Sequence, residues 1–415
     1  MEPGNHLEEF TIIAIPQAWD LEPDKQPECC IYRVPRNLRN LNEDAYTPKE
    51  ISIGPFHHGK ENLKKKEELK LRCVQEKELK IHHCYAKNFH EIIKEDFVKM
   101  ILLDSIFIIE HLWWTKQYPE EDNIHESISD ILHDLILLEN QVPFSVLEEL
   151  YNFAYLDLPN HHNEDKSLPQ LIGIVRFGEP KKVKHLTDFQ RCFLLPQNRK
   201  CGRSFERVPC ATKLSEAGVE FKVSKSENGG LLDIQFRKSA LLEICPFLNM
   251  SWLLSCFPCF KCLEIMQPVL ELKSFVIRDA TESVVRNLMA LEQCHYPWEA
   301  YVCNYIVLLD HLINTEADVD LLVEKNIIVN WLGNNKAVAI LINHLCQQIV
   351  EGNHSCYFDL SEKIKDHYSS RWSKLMASFT NLYFKDFWRG TATVVGIMVL
   401  FFAFWNFLRP FVFHT

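Results

Sequence analysis

Several acidic side chains lie inside apolar segments of the first half of the chain, where an ionised group is unusual. Asp104 lies in KMILLDSIFIIEHLWW, and Asp134 and Glu139 lie in SISDILHDLILLENQVPF. If the two segments pack together, these carboxylates could exchange protons with a substrate or bind a divalent cation. They could also accept hydrogen bonds from arginines such as Arg33 or Arg36, or cap loops, because an unpaired buried charge is costly. We favour this structural role and keep Asp104, Asp134 and Glu139 as the candidate catalytic residues.

Cysteines recur at short spacing in Cys256-Phe-Pro-Cys259-Phe-Lys-Cys262. Thiolates in this arrangement could bind zinc or an iron–sulfur cluster, act as a redox dithiol, or be acylated. A fourth ligand is missing nearby, and no strand–helix pattern of thioredoxin type precedes the first pair. Packing among apolar neighbours is therefore the favoured interpretation. Cys256, Cys259 and Cys262 remain the candidate metal ligands, and no cofactor is predicted.

Other patterns that would announce a reaction are missing. The sequence contains no G-x-x-x-x-G-K-[ST], G-x-G-x-x-G, G-x-S-x-G or H-E-x-x-H, which excludes the common nucleotide-binding, serine-hydrolase and zinc-protease designs. The 45 basic and 56 acidic residues give a net charge of −11 without a segregated basic patch, so nucleic acid is not an expected partner. With 47% hydrophobic and 24% charged residues in 415 positions, disorder throughout is also excluded.

Helical periodicity dominates the elements that must position these residues. We predict a mainly α fold, with an irregular leader over residues 1–30 and a helical, bundle-like domain over 31–385. The period changes once: residues 219–223 and 232–236 alternate apolar with polar side chains, and Asn228-Gly229-Gly230 between them supplies a turn. This pattern predicts a small inserted β-hairpin at about residues 219–237.

The last apolar segment, residues 390–408, reads GTATVVGIMVLFFAFWNFL and contains no ionisable side chain. Its 19 residues, at about 1.5 Å each, nearly match a hydrocarbon core of about 30 Å, which predicts a C-terminal transmembrane helix with a short tail over 409–415. Basic residues are more frequent before the segment than after it, which places the large domain on the cytosolic side. The sequence thus predicts a single-pass, tail-anchored protein of the plasma membrane or an endomembrane.

Blocks along the chain resemble a known plant family. They are IYRVPRNLR (31–39), ISIGPFHHG (51–59), MILLDSIFIIE (100–110), DLILLENQVPFSVLEELY (134–151), the GVEFK and LLDIQF strands, TESVVRNLMALEQC (281–294) and DVDLLVEKNII (318–328). In this order they are similar to the family called domain of unknown function 247, over roughly residues 29–405. The resemblance implies a plant protein with a hydrophobic segment near its C-terminus and no established chemistry; some family members are connected with self-incompatibility. The chain departs from the family in a cysteine-rich insertion at about residues 248–268.

Two functional hypotheses follow from these observations. The first is a membrane-anchored recognition or signalling component that binds an unidentified protein partner and is not an enzyme. The alternative is an enzyme at the membrane surface that uses the buried carboxylate cluster. Acids that are bonded to arginine and backbone would favour the first hypothesis, whereas an open pocket with unpaired acids would favour the second.

Overall fold

The computed structural model describes residues 29–49, 51–57, 78–86, 89, 92–117, 131–155, 168, 183–195, 202–203, 206–225, 230–239, 267–347, 349, 354–370, 374–375, 378 and 387–412. The predicted leader up to residue 28 lies outside the described residues, and so does the cysteine-rich insertion with Cys256, Cys259 and Cys262. In the described ranges, helices dominate and the strands are short. The mainly helical prediction is therefore confirmed.

The helices of these ranges follow one another from residue 36 to residue 412. In chain order they are α1 (Arg36–Arg39), α2 (Glu78–His83), α3 (Lys94–Gln117), α4 (Phe144–Tyr155), α5 (Leu186–Leu194), α6 (Ala211–Glu216), α7 (Thr281–His295), α8 (Tyr301–Leu312), α9 (Glu316–Glu324), α10 (Asn335–Leu345), α11 (Phe358–Ser369) and α12 (Phe387–Val412), and a 3₁₀ turn covers Asp44–Tyr46. Helix α8 is buried at every position from Tyr301 to Leu309. A helix that is apolar on all sides must lie inside the fold, and α8 is therefore the central helix of the C-terminal half.

The strands form two small sheets. They are β1 (Glu220–Val223), β2 (Gln235–Arg237), β3 (Val269–Leu272), β4 (Phe275–Ile277) and β5 (Ile328–Asn330). The first sheet has the order β1-β3-β2, with β3 parallel to β1 and antiparallel to β2. The second sheet pairs β4 with β5 in parallel.

The predicted β-hairpin is wrong in its pairing. Strands form near both predicted positions, but β3 lies between β1 and β2, so these two strands do not pair with each other. Leu270 of β3 stands opposite both Phe221 and Phe236. Alternation in a sequence identifies the buried face of a strand but not its neighbour. The buried Leu270 and Leu272 make β3 the central strand, because both flanking strands can then cover an apolar neighbour.

Three groups of buried side chains hold the fold together. The largest joins α6 to α11 with both sheets, and a second surrounds α3 and α4. The third lies between them and consists of loop residues such as Tyr32 and Tyr46 packed on Leu138 and Leu291. The loop that follows residue 29 is therefore the contact between the two halves of the chain, and its position determines the site described below.

No helix in the part of the chain that the structure describes is both long and apolar enough to cross a membrane. The predicted transmembrane helix over 390–408 is therefore wrong. The same correction applies to the single-pass, tail-anchored arrangement, the membrane as a partner, the cytosolic orientation, and the assignment to the plasma membrane or an endomembrane. The prediction rested on the absence of ionisable residues, but Thr393 and Asn406 limit the uninterrupted apolar run to residues 394–405. Such a run extends for about 18 Å as a helix, against a hydrocarbon core of about 30 Å.

Candidate functional site

A cleft of about 260 Å³ opens between the loop after α1, the segment around Asp134 and the start of α7. It is lined by Asn42, Asp44, Ala45, Lys49, His133, Asp134, Asp279, Ala280, Glu282 and Ser283. Asp44, Lys49 and Asp279 are exposed at its edge, whereas Asp134 is buried at its base. Among the candidate acids Asp104, Asp134 and Glu139, this cleft is lined by Asp134 alone.

Asp134 binds the loop backbone. Each of its carboxylate oxygens lies 3.1 Å from the amide nitrogen of Lys49, and Oδ2 also accepts from the amide of Ile51 at 2.9 Å. The side chain is completely buried, so these bonds replace the water that the carboxylate would otherwise bind. The Asp134 carboxylate therefore positions the loop that forms one wall of the cleft.

Glu139 is the centre of a buried ion cluster at a different point of the same loop. Its Oε1 accepts from the amide of Val34 at 2.7 Å, while Oε2 pairs with the guanidinium of Arg39 and lies 3.4 Å from Nε2 of His57. Burial by itself would raise the pKa of Glu139, but the adjacent side chains of His57 and Arg39 outweigh it and hold the pKa below its ordinary value. Glu139 is thus an ionised structural group, paired with Arg39 where the sequence had pointed to Arg33 or Arg36.

Asp104 of α3 is the third acid that binds the loop. Its Oδ2 accepts a hydrogen bond from the amide of Gly54 at 2.7 Å. Burial raises the pKa of Asp104 to about 7, although the bond from Gly54 opposes that shift. Gly54 has a φ of +69°, and a Cβ there would lie 2.6 Å from the backbone oxygen of Gln141. Glycine is therefore required at this position, where the chain passes close to Gln141 while its amide donates to Asp104.

Side-chain amides complete the attachment of the loop. Asn140 accepts from the amide of Ile53 at 2.5 Å and donates to the carbonyl of Ile51 at 3.1 Å. Asn287 of α7 accepts from the amide of Leu138 at 2.8 Å and donates to the carbonyl of Ala45 at 2.7 Å. The Leu-Glu-Asn-Gln run after residue 137 is the sequence signal for this network, but Asn287 carried no such signal.

The upper edge of the cleft combines unlike charges. Glu282 accepts a hydrogen bond from the side-chain amide of Asn42 at 3.0 Å and another from the guanidinium of Arg286 at 2.8 Å. Burial would raise the pKa of Glu282, but Asn42 and Arg286 lower it overall, so the group stays ionised. Together with Asp44 and Asp279 at the edge, it makes the opening acidic despite Lys49.

A second buried network, which the sequence did not reveal, joins α5 to α7. Nε of Arg191 lies 2.8 Å from Glu292, and the guanidinium stacks over the Tyr296 ring at 4.2 Å. Tyr296 donates to Asp188 at 2.9 Å, and the other oxygen of Glu292 accepts from the amide of Cys303 at 2.9 Å. Burial opposes the charge of Arg191, but Glu292 holds the pKa of Arg191 above its ordinary value. Both partners are buried and bonded within the protein, which supports a structural role for the pair.

Side chains that commonly bind metals do not converge in the described part of the chain. Across the residues whose placement is described, no three histidine, cysteine, aspartate or glutamate side chains are grouped in a way that could hold a metal ion. Cys256, Cys259 and Cys262 stay a sequence prediction, since they lie outside those residues.

Comparison with known proteins gives a consistent family match. Residues 31–402 match the profile of domain of unknown function 247, described as a plant protein of unknown function. The Arabidopsis thaliana protein named UPF0481 protein At3g47200 is 25% identical over 443 residues, covering 92% of this chain and 86% of that protein. Putative UPF0481 protein At3g02645 from the same plant is 23% identical over 474 residues, covering 89% and 88%. No solved structure matches the chain significantly.

Proposed function

This chain belongs to the plant family of domain of unknown function 247, and we propose that it is a non-catalytic recognition or signalling component. Its cleft binds a basic side chain of a protein partner. The observation that carries the proposal is that the buried and the exposed acids have different roles. Those in the interior hold the loop, whereas those at the edge of the cleft face outward.

The interior acids are already occupied by the protein itself. Asp134, Asp104 and Glu139 accept hydrogen bonds from four backbone amides of residues 34–54, and Glu139 is also paired with Arg39, which leaves a substrate little opportunity to displace these partners. A general acid or base must reach the proton that it transfers. This arrangement supports binding over catalysis.

The charge of the cleft supports a basic partner. Asp44, Asp134, Asp279 and Glu282 line it together with a single lysine, Lys49. The whole chain also carries a net charge of −11, which attracts cationic surfaces and repels anionic ones. A lysine or arginine side chain fits both the size and the charge of the opening.

Proximity labelling from the full chain in its native tissue tests this proposal. Asp44→Lys combined with Asp279→Lys reverses the charge at the edge without touching the buried acids. We expect the proteins labelled by the wild type to be lost with this variant. A matched control, Glu324→Lys with Glu362→Lys, changes the net charge equally at exposed positions away from the cleft and should keep them. Equal labelling by all three chains would contradict the proposal.

One observation favours a second function, catalysis by the core acids. The pKa of Asp104, raised to about 7, suits proton transfer near neutral pH. However, Asp104 does not line the cleft, so a substrate bound there would not touch it. The binding proposal therefore accounts for more of the geometry.

A further inference from the structure

Two cysteines meet where the start of the described chain runs beside the end of α2. The amides of Cys30 and Ile31 both donate to the carbonyl oxygen of Cys84, at 3.0 and 2.9 Å. Ile31 and Tyr85 form a parallel β-bridge. Cys30 and Cys84 each precede a bridge partner by one residue, so they stand opposite each other and face the same side. Neighbouring strands lie about 4.8 Å apart, within the roughly 4.4–6.8 Å between Cα atoms that a disulfide spans.

The two thiols differ in exposure. Both residues are in the thiol form. Cys30 is 4% exposed, whereas Cys84 is half-buried and also donates to the carbonyl of Lys80 at 3.3 Å. A reagent in solution therefore reaches the sulfur of Cys84 first.

We propose that Cys30 and Cys84 are a reversible redox pair that forms a disulfide on exposure to a low-molecular-weight disulfide such as oxidised glutathione. The Cys84 thiolate attacks one sulfur of the oxidant, and the first small thiol leaves. Cys30 then loses its proton and attacks the Cys84 sulfur of the mixed disulfide, and the second small thiol leaves. Two protein thiols are oxidised, one small disulfide is reduced, and two small thiols are released.

The order of attack follows from the environment of each sulfur. The neighbouring Cys84 thiol and burial hold the pKa of the Cys30 thiol well above its ordinary value, so Cys30 is a poor initial nucleophile. Once Cys84 carries the small thiol, Cys30 lies next to an electrophilic sulfur. Cys30 is therefore the resolving cysteine.

The disulfide would close a ring that contains most of the loop. Residues 42–49, which supply one wall of the cleft, lie between Cys30 and Cys84 in the chain. A cross-link restricts the unfolded chain, and the oxidised protein should therefore melt at a higher temperature than the reduced protein. This inference does not depend on what the cleft binds.

Peptide mapping of the purified full chain tests the pair. The chain is equilibrated with reduced and oxidised glutathione in varied ratio, alkylated and digested with trypsin, which releases QPECCIYR (26–33) and IHHCYAK (81–87). We expect these two peptides to become linked as the ratio becomes oxidising, with a matching rise in melting temperature. Both changes should reverse with reductant.

Variants identify the sulfurs. Cys29 and Cys30 lie in the same peptide, so Cys29→Ser is needed to tell them apart. This variant should retain the link, whereas Cys30→Ala and Cys84→Ser should each abolish it. Cys210→Ser, at a buried cysteine that contacts Thr212, is the matched control and should retain it. An unchanged melting temperature of each reduced variant shows that it is folded. If Cys30→Ala does not fold, Cys84→Ser alone tests the pair. A link through Cys29, or alkylation of both peptides under every ratio, would overturn the proposal.

Discussion

At the scale of single residues, the acids inside the fold accept hydrogen bonds from the backbone of one loop. Glu139 is the clearest example, because it is 3% exposed and meets an amide, a guanidinium and an imidazole. Replacing it with alanine leaves the half-buried Arg39 without its carboxylate partner. We expect Glu139→Ala to lower the free energy of unfolding by about 2–5 kcal/mol in a urea titration of the full chain.

The control for this prediction is Glu362→Ala on the exposed side of α11, which should change the free energy of unfolding by less than about 0.5 kcal/mol. The pH dependence has a definite sign. Because the pKa of Glu139 is lowered by folding, its contribution is present above its ordinary pKa and disappears as the pH falls through the folded value. The difference in the free energy of unfolding between wild type and Glu139→Gln should therefore become smaller below about pH 4. A stabilised Glu139→Ala protein would refute the structural role.

Asp104 should show the opposite pH dependence. Folding raises its pKa to about 7, so the folded state binds the proton more tightly than the unfolded state. Its stabilising contribution is complete below the unfolded pKa, near 4, and is lost as the pH rises to about 7. Asp104→Asn keeps an oxygen for the amide of Gly54 but does not titrate.

Relative to Asp104→Asn, the wild type should therefore lose up to about 1.4 kcal/mol of stability for each pH unit between about pH 4 and 7. Urea unfolding of both chains at several pH values measures this slope. A difference that is constant across that range would show that Asp104 ionises normally in the folded protein.

At the scale of elements, the three-stranded sheet depends on its middle strand. Leu270 of β3 is completely buried and stands opposite Phe221 on one side and Phe236 on the other. Truncation opens a cavity against both neighbours. We expect Leu270→Ala to cost about 2–5 kcal/mol of unfolding free energy.

Val276 of β4 provides the comparison, because it is 39% exposed in a strand of similar length. Val276→Ala should cost less than about 1 kcal/mol, since little apolar surface is lost to water. Thermal unfolding by circular dichroism is sufficient to compare them. Equal losses at the two positions would mean that β3 is not the buried centre of the sheet.

At the scale of the whole molecule, buried polar pairs connect the two halves. Arg191 of α5 and Glu292 of α7 form such a pair. We expect Arg191→Met alone to cost about 3–5 kcal/mol, because Glu292 would keep a buried charge without its partner. The double change with Glu292→Met should cost less than the sum of the single changes.

A double-mutant cycle by denaturant unfolding measures this coupling. Arg237 and Glu271 form the control pair at 2.9 Å, with Arg237 61% exposed, and their coupling should be below about 1 kcal/mol. Additive effects of Arg191→Met and Glu292→Met would show that this pair does not contribute to holding the two halves together.

The sequence by itself determined the helical class, the family, the strand positions near residues 220 and 235, and the presence of acids in apolar segments. These properties are local: each is encoded in side-chain period, turn residues or a run of types within a few turns of chain. The hydrogen-bond partners of the buried acids were not local, because Asp134 and Glu139 accept hydrogen bonds from residues about 85 and 105 positions away. The sequence identified the acidic residues, but it did not identify the groups that bind them.

Only the tertiary structure decided how these local elements combine. It inserted β3 between two strands that sequence alternation had paired, and it replaced Arg33 and Arg36 with Arg39 as the partner of Glu139. It also brought Cys30 beside Cys84 and Arg191 beside Glu292. The physical reason is common to all of these cases. A buried polar group or strand edge must be paired, but the pairing is selected by which surfaces pack together after the whole chain has folded.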